Sequence, residues 1–412
     1  MANLLEKASI ILTPTAYSDG KMHSAKPIVS TNPSVGDFDF ARASVATRVN
    51  EQGLIEEVAS GLPRIDYTDG SGSWLLEPTV TNFITYSELF SDAYWSKTDT
   101  IVSNAVISPE GTANAFNLLN NNALSQAYIN TNITVTATNN YIFSVFVKKG
   151  NVRYISLVNL NPFTSSYFDL QDGVALASNA ISSSIEDYGN GWFRCSVETV
   201  ADTTTKYCGI YLSENGSSLD ASGIPNGDGV KIYGAQLEEN SYTTSYIKNA
   251  GTALGVTRTA DTANGSGSST VINSSEGVLY AQASKLINGV VSESISLSDG
   301  TNNNLIQIQW NATIDRFQFY ARSGGGTYDL LVVNNIPQTD MNKIALSWDS
   351  VNFYAWINGV KVGTLSISNS PIDLSTLNFG DGVGANFYGK TKSVQVYTTA
   401  LSDAELNNLT TI

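Results

Sequence analysis

Apolar and polar residues alternate with period two along much of the chain, and this alternation predicts β-strands. The clearest cases are "DRFQFYAR" (315–322) and "NFYAWING" (352–359), in which every second side chain is apolar. A strand with this pattern has one buried face and one exposed face. The Asn358-Gly359 pair within "WINGVKVG" is a strong signal for a tight hairpin turn.

Two sets of such strands follow one another. Between about residues 86 and 249, runs such as "YIFSVFVKKG", "WFRCSVETV" and "GVKIYGAQLEE" are separated by Gly, Asn and Asp turns. Regular short strands with these turns predict an antiparallel β-sandwich or jelly roll. A second set fills residues 271–412 and ends in "LSDAELNNL", where Ser402 and Glu405 predict a capped helix. The fold class is therefore all-β, with two antiparallel sandwich domains and a short C-terminal helix.

Two other segments lack clean strand patterns. Residues 1–85 are rich in proline and turns and predict an extended segment that needs a partner chain to become ordered. Residues 250–270 consist largely of Gly, Ser, Thr and Ala, a composition typical of a linker. The predicted order is thus an N-terminal attachment segment (1–85), a jelly roll (86–249), a linker (250–270) and a second sandwich (271–412).

The charge balance excludes several classes of partner. The chain of 412 residues has a net charge of −15, and its longest basic run is Lys148-Lys149. Nucleic-acid binding and attraction to anionic membranes both need clustered Lys and Arg, so neither is expected. No apolar run approaches the roughly 20 residues that would insert in a membrane. The N-terminal stretch lacks the features of a signal peptide, so we expect synthesis in a cytoplasm without standard export.

Histidine and cysteine counts restrict the chemistry further. The one histidine, His23, excludes a histidine zinc cluster and nearly all Ser-His-Asp chemistry, and we expect it in an exposed loop. Two cysteines, Cys195 and Cys208, are spaced so that they could face each other across a hairpin. The alternative is two buried free thiols, since a chain of this length needs no disulfide.

Residues 271–412 resemble the laminin-G/concanavalin-A-like lectin fold. The resemblance rests on "WDSVNFYAWINGVKVG" and on "FGDGVGANFYGKTKSVQVYTTALSDAEL". Members of this superfamily are mostly glycan-binding or protein-binding modules, and many hold calcium at a loop edge. This sequence has no Asp/Asn cluster that matches their calcium site.

The rest of the chain resembles structural proteins of tailed bacteriophages. "TYSELFSDAYWSKTDT" and "YGAQLEENSYTTSYI" are similar to stretches of their carbohydrate-binding-module-like jelly rolls, and "ILTPTAYSDGKMHSAKPI" is similar to the leader of head- or tail-fibre proteins from phages of Bacteroidetes hosts. The resemblance implies a non-enzymatic appendage on the virion surface, made in the cytoplasm of the bacterial host. It implies docking to other virion proteins through residues 1–85, a homotrimer and binding of host-surface glycans.

Two alternatives stay open. One is a capsid head-fibre or decoration protein without receptor activity of its own. The other is a polysaccharide depolymerase, although the chain has neither a β-helix repeat nor an evident pair of carboxylates on one face.

Candidate glycan-binding residues are aromatic side chains, which stack on sugar rings, and polar side chains in loops at the rim of the last domain. The loops are "RSGGGTYD" (322–329) and "GDGVGANFYG" (380–389). Each candidate also has a structural alternative, which is core packing for the tryptophan and plain solvation for the loop tips. The candidates are Tyr94, Trp95, Arg322, Tyr328, Asp381 and Asn386.

Glu238 and Glu239 lie side by side at the end of the strand in "KIYGAQLEENSYTTSYI". Strand alternation places them on opposite faces, whereas a glycosidase needs two carboxyl groups roughly 5–9.5 Å apart in one cleft. Catalysis by this pair is therefore not expected. A structural role and calcium binding by one of them both remain open, and Ca²⁺ is the one candidate cofactor.

Overall fold

The chain is almost entirely β-structure, which confirms the predicted fold class. The computed structural model describes residues 4–26, 34–160, 162–368, 370–381 and 385–412. Its two helices are α1 (Leu4–Lys7) and α2 (Asp403–Thr410). The first strands are β1 (Ala8–Leu12), β2 (Tyr17–Ser18), β3 (Lys21–Met22), β4 (Phe38–Ala41), β5 (Ala46–Val49), β6 (Ile55–Val58), β7 (Ile65–Asp66), β8 (Ser73–Leu76), β9 (Val80–Asn82), β10 (Ser96–Thr98), β11 (Thr100–Val106), β12 (Ala115–Asn120), β13 (Tyr128–Thr134), β14 (Asn140–Lys148), β15 (Tyr154–Leu160) and β16 (Thr164–Asp169). The later strands are β17 (Val174–Ser178), β18 (Ser182–Asp187), β19 (Trp192–Val200), β20 (Thr205–Ser213), β21 (Gly229–Glu238), β22 (Val256–Arg258), β23 (Thr262–Asn264), β24 (Gly277–Lys285), β25 (Glu293–Ser298), β26 (Leu305–Trp310), β27 (Arg316–Arg322), β28 (Asp329–Asn334), β29 (Asn342–Trp348), β30 (Asn352–Ile357), β31 (Val360–Ser366), β32 (Thr376–Asn378) and β33 (Gly389–Tyr397).

The chain divides into two compact units, and neither is a continuous stretch of sequence. Unit 1 consists of Met1–Val45, Val58–Pro78 and Thr259–Ile412. Unit 2 consists of Ala46–Glu57 and Thr79–Arg258. This division differs from the four consecutive segments expected from the sequence, because residues 1–85 are shared between the two units.

The N-terminal strands of unit 1 pair with strands of their own chain. β1 and β8 both pair with β33, with Ile10 opposite Val396 and Trp74 opposite Thr391. Strands of two to five residues bury too little surface to stand alone, so they complete the sheet of a neighbour. The sequence expectation of a separate segment at 1–85 is corrected accordingly: short strands carry no signal for which distant strand they will join.

The stretch predicted as a linker also contains ordered strands. Within unit 2, β22 pairs with β9, and within unit 1, β23 pairs with β4. Arg258 and Asp261 are fully buried. Residues 256–258 and 262–264 therefore form paired strands, where composition alone suggested a linker.

Unit 1 is a β-sandwich. One sheet has the order β31-β30-β29-β24-β33-β8-β7, with β1 also on β33, and the other has the order β28-β27-β26-β25-β32. Apolar side chains from both sheets, such as Ile306 and Trp310 from one and Leu346 and Val394 from the other, share one core. Helix α2 has the predicted capping box, in which Ser402 Oγ accepts from Glu405 N and a Glu405 carboxylate oxygen accepts from Ser402 N.

Unit 2 is built from two six-stranded antiparallel sheets. Their orders are β10-β13-β20-β15-β16-β17 and β11-β12-β21-β14-β19-β18. Cys195 lies in one sheet and Cys208 in the other, and both are buried free thiols. Burial raises the pKa of both thiols. No helix in the described part of the chain is long and apolar enough to cross a membrane.

A buried ionic network joins the separate segments of unit 1. Arg42 and Arg64 each donate to one carboxylate oxygen of Asp261, over 3.1 and 2.5 Å, and Arg64 also donates to Glu77 over 2.6 Å. The Glu77 amide donates to Asp261 and the Asp261 amide to the Glu77 carbonyl. Asp261 and the side chains of both arginines are fully buried. The residues come from positions next to β4, β7, β8 and β23, so the network fixes these four strands to one another.

We expect Asp261→Ala to lower the free energy of unfolding of unit 1 by about 3–5 kcal/mol, because it leaves two guanidinium groups buried beside a single carboxylate. Chemical denaturation followed by circular dichroism measures the effect. The control is Asp39→Ala, which removes an exposed partner of Lys21 in the same unit and should leave the transition unchanged. Equal stability of the two variants would contradict this role for the network.

Candidate functional site

The outer face of the five-stranded sheet of unit 1 carries a row of amide and hydroxyl side chains. In β26, Ile306, Ile308 and Trp310 point into the core, so Gln307 and Gln309 point outward. β27 alternates in the same way. Gln307 lies opposite Tyr320 and Gln309 opposite Gln318, which brings these four side chains together on one face.

Gln307, Gln309 and Tyr320 line a cavity of about 160 Å³. Tyr320 donates from its hydroxyl to Gln318 over 2.7 Å, and its ring meets Tyr328 edge-to-face at 5.2 Å. Burial raises the pKa of Tyr320, so its hydroxyl stays protonated and can donate. The cavity is lined by Asn302, Gln307, Gln309, Tyr320, Tyr328 and Asp381.

Two of the loop residues predicted from the sequence, Tyr328 and Asp381, therefore meet in this cavity although they are far apart in sequence. Tyr328 donates to the side chain of Asn302 over 2.8 Å. Asp381 accepts from the Ala385 amide over 3.0 Å, which closes the end of its loop. That loop is partly outside the described residues, because 382–384 are not described.

Arg322 supports the site without lining it. Its guanidinium stacks on the Tyr328 ring at 4.6 Å and donates to backbone carbonyls of Asn302, Gly325 and Gly326, each over 2.8 Å. It thus ties two loops together and fixes the Tyr328 ring. Asn386 is not among the lining residues, and its amide donates to the Tyr388 hydroxyl over 3.2 Å.

The remaining aromatic candidates lie in unit 2 and face its interior. Trp95 is 1% exposed, and its indole N–H donates to the Tyr86 carbonyl over 3.0 Å. Tyr94 is half-buried, and its hydroxyl accepts from the Thr85 amide. Trp95 also packs on Phe90 at 5.0 Å. Trp95 therefore offers no ring face to a sugar; the sequence shows an aromatic pair in a turn but not the direction in which the pair points.

Glu238 and Glu239 lie on opposite faces, as strand alternation predicts. Glu238 is fully buried, accepts from the Thr244 amide and hydroxyl, and lies 4.0 Å from the guanidinium of Arg194. Burial raises its pKa, while Arg194, Thr244 and Arg258 act in the opposite direction. Glu239 is exposed and accepts from Tyr141 and Asn139.

The surroundings of Glu238 do not fit calcium. Two guanidinium groups already supply positive charge at Glu238, whereas a calcium site gathers several oxygen ligands around the ion. Among the residues that the structure describes, no group of three or more His, Cys, Asp or Glu side chains is arranged to hold a metal ion.

Four lining residues were not predicted from the sequence: Asn302, Gln307, Gln309 and Tyr320. Glutamines in "NLIQIQW" alternate with apolar residues, so their outward direction could have been predicted. Their convergence with Asp381 depends on which strands are neighbours, and that information is not contained in the local pattern.

Comparison with known proteins places part of unit 1 near one family. Residues 285–407 match the family model described as the concanavalin A-like lectin/glucanases superfamily. A search of curated proteins gives no significant match.

Solved structures give only distant similarities. The CBM40 of Ruminococcus gnavus IT-sialidase bound to α2,3-sialyllactose has 19% identity and a TM-score of 0.30, covering 36% of this chain and 93% of that one. Domain 4 of AbnA, a GH43 extracellular arabinanase from Geobacillus stearothermophilus, in complex with arabinotriose has 14% identity and a TM-score of 0.30, covering 37% and 73%. At this level of similarity, function has to be argued from the chain's own residues.

We expect the melting temperature to be the same with added Ca²⁺ and with EDTA, because Glu238 is already held by Thr244 and Arg194, and Glu239 by Tyr141 and Asn139. Differential scanning calorimetry of the full chain measures this. Glu239→Gln serves as the matched variant, since it removes the exposed acid alone. A rise in melting temperature with Ca²⁺ that disappears in Glu239→Gln would show that calcium binds there.

Proposed function

We propose that unit 1 binds a saccharide on the outer face of its five-stranded sheet. The observation that supports this most directly is the cavity lined by amides, phenols and one carboxylate, which joins Tyr328 and Asp381 to Gln307, Gln309 and Tyr320. The match of residues 285–407 to a lectin and glucanase superfamily is consistent with it.

The lining chemistry suits a sugar. Amide groups both donate and accept hydrogen bonds, as sugar hydroxyls do, and a carboxylate accepts from two hydroxyls at once. The aromatic carbons of Tyr320 and Tyr328, which line the cavity, supply apolar contact for the C–H groups of a sugar ring. At about 160 Å³ the cavity is smaller than the roughly 300–1,000 Å³ of pockets for drug-sized ligands, so we infer that it holds one sugar residue of a longer chain.

We infer binding rather than catalysis, since the described lining contains a single carboxylate and glycoside hydrolysis uses two. A virion appendage that binds host glycans, its homotrimeric state and its docking through residues 1–85 remain predictions that rest on the sequence resemblance. Because β1, β7 and β8 already pair with strands of unit 1, less of residues 1–85 is left to pair with a partner chain.

We expect Tyr320→Ala and Gln309→Ala each to weaken binding of a saccharide found on a glycan array by roughly tenfold, which corresponds to about 1.4 kcal/mol. Titration calorimetry with the full chain measures the dissociation constants.

Tyr354→Ala and Gln282→Ala are the matched controls, because both lie on the other sheet of unit 1 and should bind as the unaltered protein does. Melting curves check that every variant is folded. Unchanged affinity in Tyr320→Ala and Gln309→Ala would place the sugar elsewhere, and the absence of binding to any glycan would refute the proposal.

A further inference from the structure

The one histidine of the chain lies between a serine and an aspartate. Ser18 Oγ is 2.9 Å from His23 Nε2, and His23 Nδ1 is 2.8 Å from Asp37 Oδ2. The low histidine count argued against this chemistry at the sequence level. A Ser-His-Asp arrangement needs only one histidine, however, so the count could not exclude it.

Strand register explains how the three residues meet. β2 and β3 form a tight hairpin in which Ser18 lies opposite Lys21, and Gly20 takes a φ of 70° in the turn. Lys21 and His23 are two residues apart, so they share a face with Ser18. β3 also pairs with β4, with Met22 opposite Phe38, and continuing this register brings Asp37 beside His23.

The hydrogen bonds assign the proton positions. A carboxylate can only accept, so His23 Nδ1 carries the proton that is donated to Asp37. In the neutral imidazole the other nitrogen, Nε2, is then the acceptor for the Ser18 hydroxyl. Asp37 is 7% exposed and is itself held by the Ser24 amide over 2.8 Å. Ser18 is exposed, so a substrate can reach its oxygen.

We propose that Ser18 is a nucleophile for acyl transfer from carboxylic esters, an activity separate from saccharide binding. Ser18 Oγ would attack the ester carbonyl while its proton passes to His23 Nε2. The imidazolium then gives that proton to the departing alcohol, which leaves an acyl-serine. Water, deprotonated by His23 Nε2, then attacks the acyl carbon. The bond to Ser18 Oγ breaks, the carboxylic acid is released, and the imidazolium returns its proton to Ser18 Oγ. Ser18 and His23 are the catalytic residues, and Asp37 is a positioning residue that keeps the imidazole in the required tautomer.

The surroundings predict slow turnover. In enzymes that transfer acyl groups through a serine, N–H groups of an oxyanion hole stabilise the oxyanion of the tetrahedral intermediate. Here the Gly20 amide is already used by the Gly61 carbonyl, and Lys21 is paired with Asp39. The Asp19 amide directly follows the nucleophile and donates to no other residue in the described part of the chain. With one available donor, the acylation step should be visible mainly with activated esters and phosphonates.

The first test is covalent labelling of the full chain with a fluorophosphonate, followed by peptide mass spectrometry. We expect the label on Ser18 and a loss of at least about 100-fold in labelling rate in His23→Ala, the range typical of a general base. Added imidazole should restore part of the rate, which a purely structural role for His23 would not allow. Ser275→Ala, which removes an exposed serine elsewhere in unit 1, should label as the unaltered chain does.

The second test is hydrolysis of p-nitrophenyl acetate. Ser18→Ala removes one exposed oxygen and should abolish turnover without changing the melting temperature. Asp37→Asn should lower kcat by at least about tenfold and leave KM unchanged, because the substitution changes the tautomer of His23 and not the binding of the ester. Labelling of Ser18 at the same rate as other serines, or full activity in Ser18→Ala, would overturn the proposal.

Discussion

The arrangement of unit 1 depends on the buried carboxylate of Asp261, which two arginines share. Arg42 and Arg64 are too far apart in sequence from Asp261 to be held by any local structure. A buried charge without its partner is costly, so each of these residues requires the others to be in place. The network therefore selects one way for the proline-rich N-terminal strands to pack on the sandwich, among the many that short strands would otherwise allow.

Both candidate sites are connected to this network through regular structure. Arg42 directly follows β4, at the other end of which Asp37 holds His23. Asp261 directly precedes β23, which pairs with β4. After β23, the Gly265 amide donates a hydrogen bond to the Asn378 side chain, and Ser266 exchanges backbone hydrogen bonds with Leu377. Both partners lie in β32, and the chain continues from β32 to Asp381 in the polar cavity. One buried network thus positions a hairpin on one side and a binding loop on the other.

Sequence patterns predicted what is local in this fold. Period-two alternation identified β27 and β30, and the spacing of Ser402 and Glu405 identified the helix cap. Tyr328 and Asp381 were chosen as rim-loop residues, and both line the cavity. Residues 1–85 and 250–270 were predicted as an extended segment and a linker, but both contain short strands that pair with residues far away in the sequence. Composition carries no information about such pairing partners.

Residue counts and residue geometry answer different questions about chemistry. A single histidine rules out a cluster of histidine ligands, since a cluster needs several. It does not rule out a triad, because a triad needs only one imidazole. Ser18, His23 and Asp37 are brought together by the pairing of β2, β3 and β4, and a residue count contains no information about strand pairing. The same limit applies to Glu238 and Glu239, which are adjacent in sequence yet lie on opposite faces of their strand. In this chain, strand register decides which side chains meet.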